Sequence, residues 1–172
     1  MTTISVNQIE NILDEYWQKL KTKQHGFKNI LFIGETGIGK TAVIQKWAQK
    51  HEGTQTFRYG PPLVHLHMKK NEFVHETIHS DKPLFTTEFS NFDLENTVFY
   101  YERINMCFTL EDLDAMTSYF SHREYTLING EKRTAKNVVL LIADALPKYD
   151  GCTTRKELPQ EILAFFDIYN VV

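Results

Sequence analysis

The sequence predicts an α/β fold: a mainly parallel five-stranded sheet covered by helices on both faces. Two observations carry this. The apolar strand candidates, among them Asn29–Ile33, Thr97–Tyr101 and Val138–Ile142, are continuous runs, the pattern of strands buried on both faces. Segments with apolar residues at helical spacing alternate with them. The 172 residues, 42% hydrophobic and 24% charged, suffice for one core in one globular domain.

Taken in order, Asn7 is a candidate cap with Glu10 at the capping-box position. It opens a helix in which Ile9, Ile12, Leu13, Tyr16, Trp17 and Leu20 form one apolar stripe. Lys19, Lys21, Lys23 and His25 read as a solvated face and linker, ended by Gly26. This helix and linker, residues 1–25, precede a core over 26–172. Asn29–Ile33 runs into a Gly-rich turn, and Thr41–Lys50 reads as a helix with Val43, Ile44, Trp47 and Ala48 inward. Pro61-Pro62 introduces a second strand over 63–67, and Thr97–Tyr101 is the third. Thr109 caps a helix with Asp112 at the box position and an apolar face of Leu110, Leu113, Met116 and Phe120. Tyr125–Ile128 followed by Asn129-Gly130 signals a two-residue hairpin. Val138–Ile142 is the fourth strand, Pro159 suits the first turn of a short helix, and Ile168–Val172 is the fifth strand.

Nineteen basic against twenty-two acidic side chains give a net charge of −3, which excludes a strongly basic nucleic-acid coat. No apolar run reaches the length of a membrane span, and the N-terminus has no secretion-signal pattern. Two cysteines, Cys107 and Cys152, cannot build a disulfide framework or a four-ligand zinc site. A cytoplasmic protein with no membrane partner and no direct nucleic-acid contact is expected.

The chemistry concentrates in Gly34-Glu35-Thr36-Gly37-Ile38-Gly39-Lys40-Thr41. Two glycines bracket four residues ahead of Lys-Thr, the P-loop spacing. Glycines let backbone N–H groups curl around a phosphate, where a Cβ would block the approach. The helix that comes next aims its positive end at the same anion. Lys40 supplies charge for the β- and γ-phosphates, and the Thr41 hydroxyl suits Mg²⁺. All eight residues are therefore expected to bind ATP or ADP with Mg.

That loop, with the motif order after it, resembles the AAA+ branch of P-loop ATPases. The likeness is to bacterial enhancer-binding activators of the alternative sigma factor and to MoxR-like ATPases. It covers roughly residues 26–172: Glu102-Arg103-Ile104-Asn105 after a strand, a capped helix, the Asn129-Gly130 hairpin, the 138–144 strand, and Leu158–Asp167 before the last strand. The resemblance implies a three-layer P-loop NTPase sandwich. Members of the family end the third strand with Asp-Glu, the first for Mg²⁺ and the second for the attacking water. Here either Glu102 takes the Asp place and Arg103 the Glu place, or Glu102 is the Glu and Tyr101 replaces the Asp. Glu102 is thus the remaining candidate for catalysis and for the metal.

The sequence departs from the family elsewhere too. Leu146 stands where a polar Asn positions water, with Asp144 nearby, and Phe165 where a trans-acting arginine is expected. The helical lid is expected to be absent, and 68–96 lacks the activators' sigma-gripping loop. Together these imply an ATP-binding module with weak or lost hydrolysis, in a regulatory or assembly role, with a protein partner or a second copy. A small P-loop kinase, with Arg155-Lys156 as its only basic closing segment, and a ligand-free interaction protein are the alternatives.

Four further features have blander readings. His65 and His67 share a strand face, and His75 and His79 sit at i, i+4 if that segment is helical, a weak metal candidate. Cys107 has no local nucleophile context. Phe85, Phe89, Phe92, Phe99, Tyr100 and Tyr101 read as core, and Lys132, Arg133 and Lys136 as a solvated hairpin edge.

Overall fold

The computed structural model describes residues 1–22, 28–51, 55–59, 64–69, 72–77, 86–87, 97–127, 129–136, 140–149 and 151–172. Its strands are β1 (Thr2–Ile4), β2 (Asn29–Ile33), β3 (Gln55–Tyr59), β4 (Val64–Lys69), β5 (Glu72–Thr77), β6 (Thr86–Thr87), β7 (Thr97–Tyr101), β8 (Glu124–Leu127), β9 (Lys132–Thr134), β10 (Leu140–Ala145) and β11 (Phe166–Val171). Its helices are α1 (Ile9–Lys21), α2 (Lys40–Lys50), α3 (Ile104–Cys107), α4 (Leu110–His122) and α5 (Gln160–Leu163).

Five strands, in the order β11-β2-β10-β7-β3, form the parallel centre of an eight-stranded sheet. Strand β1 extends it in parallel beyond β11, and the β4–β5 hairpin extends it antiparallel beyond β3. The expected mainly parallel five-stranded α/β sheet is therefore present, with additions at both edges.

Alternation along the central strands divides the core in two. Ile30, Phe32, Val98, Tyr100, Leu140 and Ile142 face α1 and α2, where they meet Leu13, Trp17, Ile44 and Trp47. Leu31, Tyr101, Leu141 and Ala143 face the other way, onto Ile104, Met116, Tyr119, Tyr125 and Ile162. Helix α1 locks onto α2 through a polar rim around Trp47, whose Nε1–H donates to Asp14 Oδ1 at 2.7 Å. Lys50 pairs with Glu10 across the same seam. The N-terminal segment thus shares the core of the sheet, and the Val172 amide donates to the Ile4 carbonyl at 2.9 Å.

Several elements differ from expectation for local reasons. The second parallel strand is β3, not the apolar run at 63–67; β4 takes that run antiparallel to β3. Ser5 with Gln8, rather than Asn7 with Glu10, opens the N-terminal helical region: the Ser5 amide donates to Gln8 Oε1 at 2.8 Å, and a 3₁₀ turn over Val6–Gln8 precedes α1. Leu110, expected on the apolar face of α4, is 74% exposed in its first turn, whereas Met116 and Tyr119 are buried.

Strand β8 ends at Leu127 and β9 begins at Lys132, so the hairpin connection is longer than the expected two residues. The Leu127 amide reaches the Glu131 carbonyl, and Gly130 holds φ +88°. Its Arg133 pairs with Glu131 at 3.0 Å, consistent with a solvated edge. His75 lies in β5, in register with Leu66 rather than with either strand histidine, so the helical pairing with His79 fails. His25, His79, Phe85, Phe89 and Phe92, with the linker residues Lys23 and Gly26, lie outside the described residues. So do the side chains of His65, His67, Phe99, Cys107 and Asp112. Among the described residues, no helix is long and apolar enough to cross a membrane.

Candidate functional site

The 34–41 loop joins β2 to α2 at the C-terminal edge of the parallel strands. Gly34 must lie flat there: a Cβ would come within 2.7 Å of the Val171 carbonyl oxygen and 2.8 Å of Ile38 Cδ1. Gly34→Ala is expected to cost about 1–3 kcal/mol by forcing β11 away from the loop, measured as a lower urea midpoint at unchanged m-value. Gly37 and Gly39 hold φ of +84° and +98°, a left-handed backbone that strains any residue with a Cβ. Gly39 caps α2 without a side chain, so the first N–H groups of the helix stay directed at the loop interior.

Lys40 is 4% exposed. Its Nζ donates to the carbonyls of Gly34 at 2.6 Å and Glu35 at 2.8 Å, closing the loop into a ring around its own ammonium. Burial pulls the Lys40 pKa down, while Asp144 and Glu35 pull it back up.

Thr41 faces the end of β7. Its Oγ1 lies 3.1 Å from Tyr100 Oη and donates to Glu102 Oε1 at 3.3 Å. Glu102 is buried, which is tolerable for a carboxylate only with polar company. The structure therefore brings together the loop glycines, Lys40, Thr41 and Glu102 at one strand edge. Arg103 comes next, in the left-handed region at φ 51° and ψ 49°, where residues other than glycine are uncommon. That turn is held by Asp144 Oδ1, which accepts the Arg103 amide at 2.5 Å.

Three residues at this edge fell outside the site read from sequence. Asp144, on β10 between β2 and β7, is 2% exposed. Burial pushes its carboxyl pKa up, against the opposing pull of the Arg103 amide and Lys40. Its signal was visible as one acidic residue inside the apolar run of β10. Asn105 grips the backbone after β10 from both sides: Nδ2 donates to the Leu146 carbonyl at 2.8 Å, and the Leu146 amide donates to Oδ1 at 3.1 Å. Leu146 itself is buried. Arg155 reaches the loop, its Nη2 lying 3.6 Å from Glu35 Oε2.

Phe165 packs beside Phe120 with ring centroids 5.4 Å apart. Its carbonyl accepts the Asn29 amide at 3.0 Å. Among the described residues, no three His, Cys, Asp or Glu side chains gather as a metal cluster.

No protein-family model matches the chain, and no curated protein matches it in sequence. Among solved structures, it is similar to a "putative ATPase" of Cytophaga hutchinsonii, with 16% identity and a TM-score of 0.54. The alignment covers 98% of this chain and 47% of that protein, so this chain spans about half the neighbour's length. The similarity is one of fold.

Proposed function

We propose that this chain is an AAA+ type ATP-binding module that binds ATP or ADP with Mg²⁺ and hydrolyses it weakly or not at all. The observation that carries the reading is the closed loop itself: glycine-lined, ringed by Lys40, and set beside the Thr41–Glu102 pair. Loop amides and the start of α2 would bind the phosphates, with Lys40 neutralising them. Thr41 and Glu102 would hold Mg²⁺, which when bound screens phosphate charge. The fold neighbour supports the architecture.

Weak hydrolysis is favoured by the residue after Glu102. The Thr41 contact supports placing Glu102 on the metal side, leaving Arg103 where a water-activating carboxylate would stand. A guanidinium cannot accept a proton from water. Buried Leu146 and half-buried Phe165 add neither a water-positioning amide nor an arginine. A protein partner or a second copy remains part of this proposal, in a regulatory or assembly role.

Titration calorimetry with Mg·ADP and a non-hydrolysable Mg·ATP analogue tests binding, and phosphate release tests turnover. Binding without turnover is expected, whereas absence of heat with either nucleotide ends the reading. Arg103→Glu is expected to raise phosphate release by about 100-fold or more, the low end of what a general base contributes. Wild-type turnover at ordinary ATPase rates would refute the claim of lost hydrolysis while leaving nucleotide binding intact.

A further inference from the structure

We infer that Arg155 is this chain's own phosphate-reading arginine, parked on Glu35 and transferred to the terminal phosphate when a nucleoside triphosphate enters the loop. This rests on the nucleotide-binding reading and extends it to a residue with no counterpart in the loop motif.

The guanidinium is built into the fold. Arg155 has only 14% of its side chain exposed, and Nη1 donates to the Pro147 carbonyl at 2.5 Å. Its Cζ lies 5.1 Å from the Tyr149 ring centroid, a stacking arrangement that suits a planar cation. The segment that carries it is pinned at both ends to the turn after Glu102. Asn105 holds Leu146 at one end. At the other, the Lys156 amide donates to the Asn105 carbonyl at 2.8 Å, and Lys156 Nζ to the Phe108 carbonyl at 3.0 Å.

The remaining partner is different in kind. Glu35 is the second residue of the loop, and its side chain is 59% exposed. An ion pair so open to water contributes about 0–1 kcal/mol and is readily surrendered. A terminal phosphate offers more charge and a fork that matches a guanidinium. Lys40 and the loop amides serve phosphates inside the ring. Arg155 stands outside it, on the exposed carboxylate, so a phosphate projecting beyond the loop is the one within its sweep. The site would thus distinguish triphosphate from diphosphate with an arginine supplied in cis, although Phe165 stands in the finger place.

The test is calorimetry on the full chain with Mg·ADP and a non-hydrolysable Mg·ATP analogue. Wild type is expected to prefer the analogue by about tenfold or more, the worth of one charge-assisted hydrogen-bonded pair. Arg155→Ala should erase that preference by weakening the analogue alone, with ADP affinity kept within about twofold. Glu35→Gln, which frees the guanidinium, should tighten the analogue by up to about fivefold, the upper worth of the exposed pair.

Equal weakening of both nucleotides in Arg155→Ala, or no effect on either, overturns the inference and leaves Arg155 a structural tether. Should that variant fail to unfold cooperatively, Glu35→Gln decides, and an unchanged analogue affinity refutes the transfer. If wild type binds neither nucleotide, the broader reading falls first and this one with it. If it binds both without preference, only this one falls.

Discussion

Lys40→Ala is expected to weaken ATP and ADP binding by about 100-fold or more while leaving the fold intact. The lost ammonium removes two or more charge-assisted bonds to phosphate, each worth about 1.5–3 kcal/mol. It also opens the ring, because Nζ is what joins the Gly34 and Glu35 carbonyls. Stability should move little, for a reason set by sign. Burial lowers the Lys40 pKa in the folded chain. Carrying the proton there costs folding energy at neutral pH, and the cost is relieved as pH rises through the lowered value toward that of the unfolded chain. Alanine removes that cost, and with it the side chain's packing and its two hydrogen bonds to carbonyls, changes of opposite sign. Urea denaturation should therefore place the variant within about 1 kcal/mol of wild type, near the centre of the distribution for single substitutions. Retained affinity in a folded Lys40→Ala protein would mean that this loop does not cradle phosphate.

What made the 34–41 loop legible is that it is contiguous. Eight successive residues between an apolar strand and an amphipathic helix state their own geometry, and the described glycines adopt it. Strands β2 and β7 were equally plain, because burial on both faces leaves an uninterrupted apolar run. Strand β3 was not: Gln55-Thr-Phe-Arg-Tyr59 carries no such run, and the more apolar stretch at 63–67 drew the assignment to the antiparallel strand beside it. Strand β1 is three residues long with two exposed, so nothing local distinguishes it from a loose terminus.

The site divides along the same line. Glu102 could be read from its place after a strand. Its pairing with Thr41 depends on which strand neighbours which, and that is a property of the whole sheet. Asp144 and Arg155 come to the site by the same route, one through strand register and one through a segment folded back onto the loop. Sequence periodicity reports which face a residue takes, not which distant residue will lie beside it.

Asp144 offers the sharpest separation of a structural from a chemical role, because alanine and asparagine should behave oppositely. Asp144→Ala deprives the Arg103 amide of its acceptor. An unsatisfied amide inside the fold costs about 1–3 kcal/mol, and the left-handed turn at Arg103 loses the contact that sustains it. Glu102, one residue earlier, would then drift from Thr41, so Mg²⁺-dependent nucleotide binding should fall along with stability.

Asp144→Asn keeps an oxygen for the amide and removes the charge. Burial raises the wild-type carboxyl pKa above its unfolded value. The wild-type chain therefore has its full stability below the ordinary carboxyl range and loses some of it as pH rises through the raised value. Asparagine cannot titrate, so its stability should be flat across that window and should meet or exceed wild type at its upper end. Urea midpoints for the three proteins, taken from pH 4 to pH 8, check both halves. If asparagine destabilises as much as alanine at every pH, the ionised carboxylate itself is holding the turn. The Arg103 amide would then be a minor partner, and the charge balance between Asp144 and Lys40 would be what keeps this edge of the sheet in place.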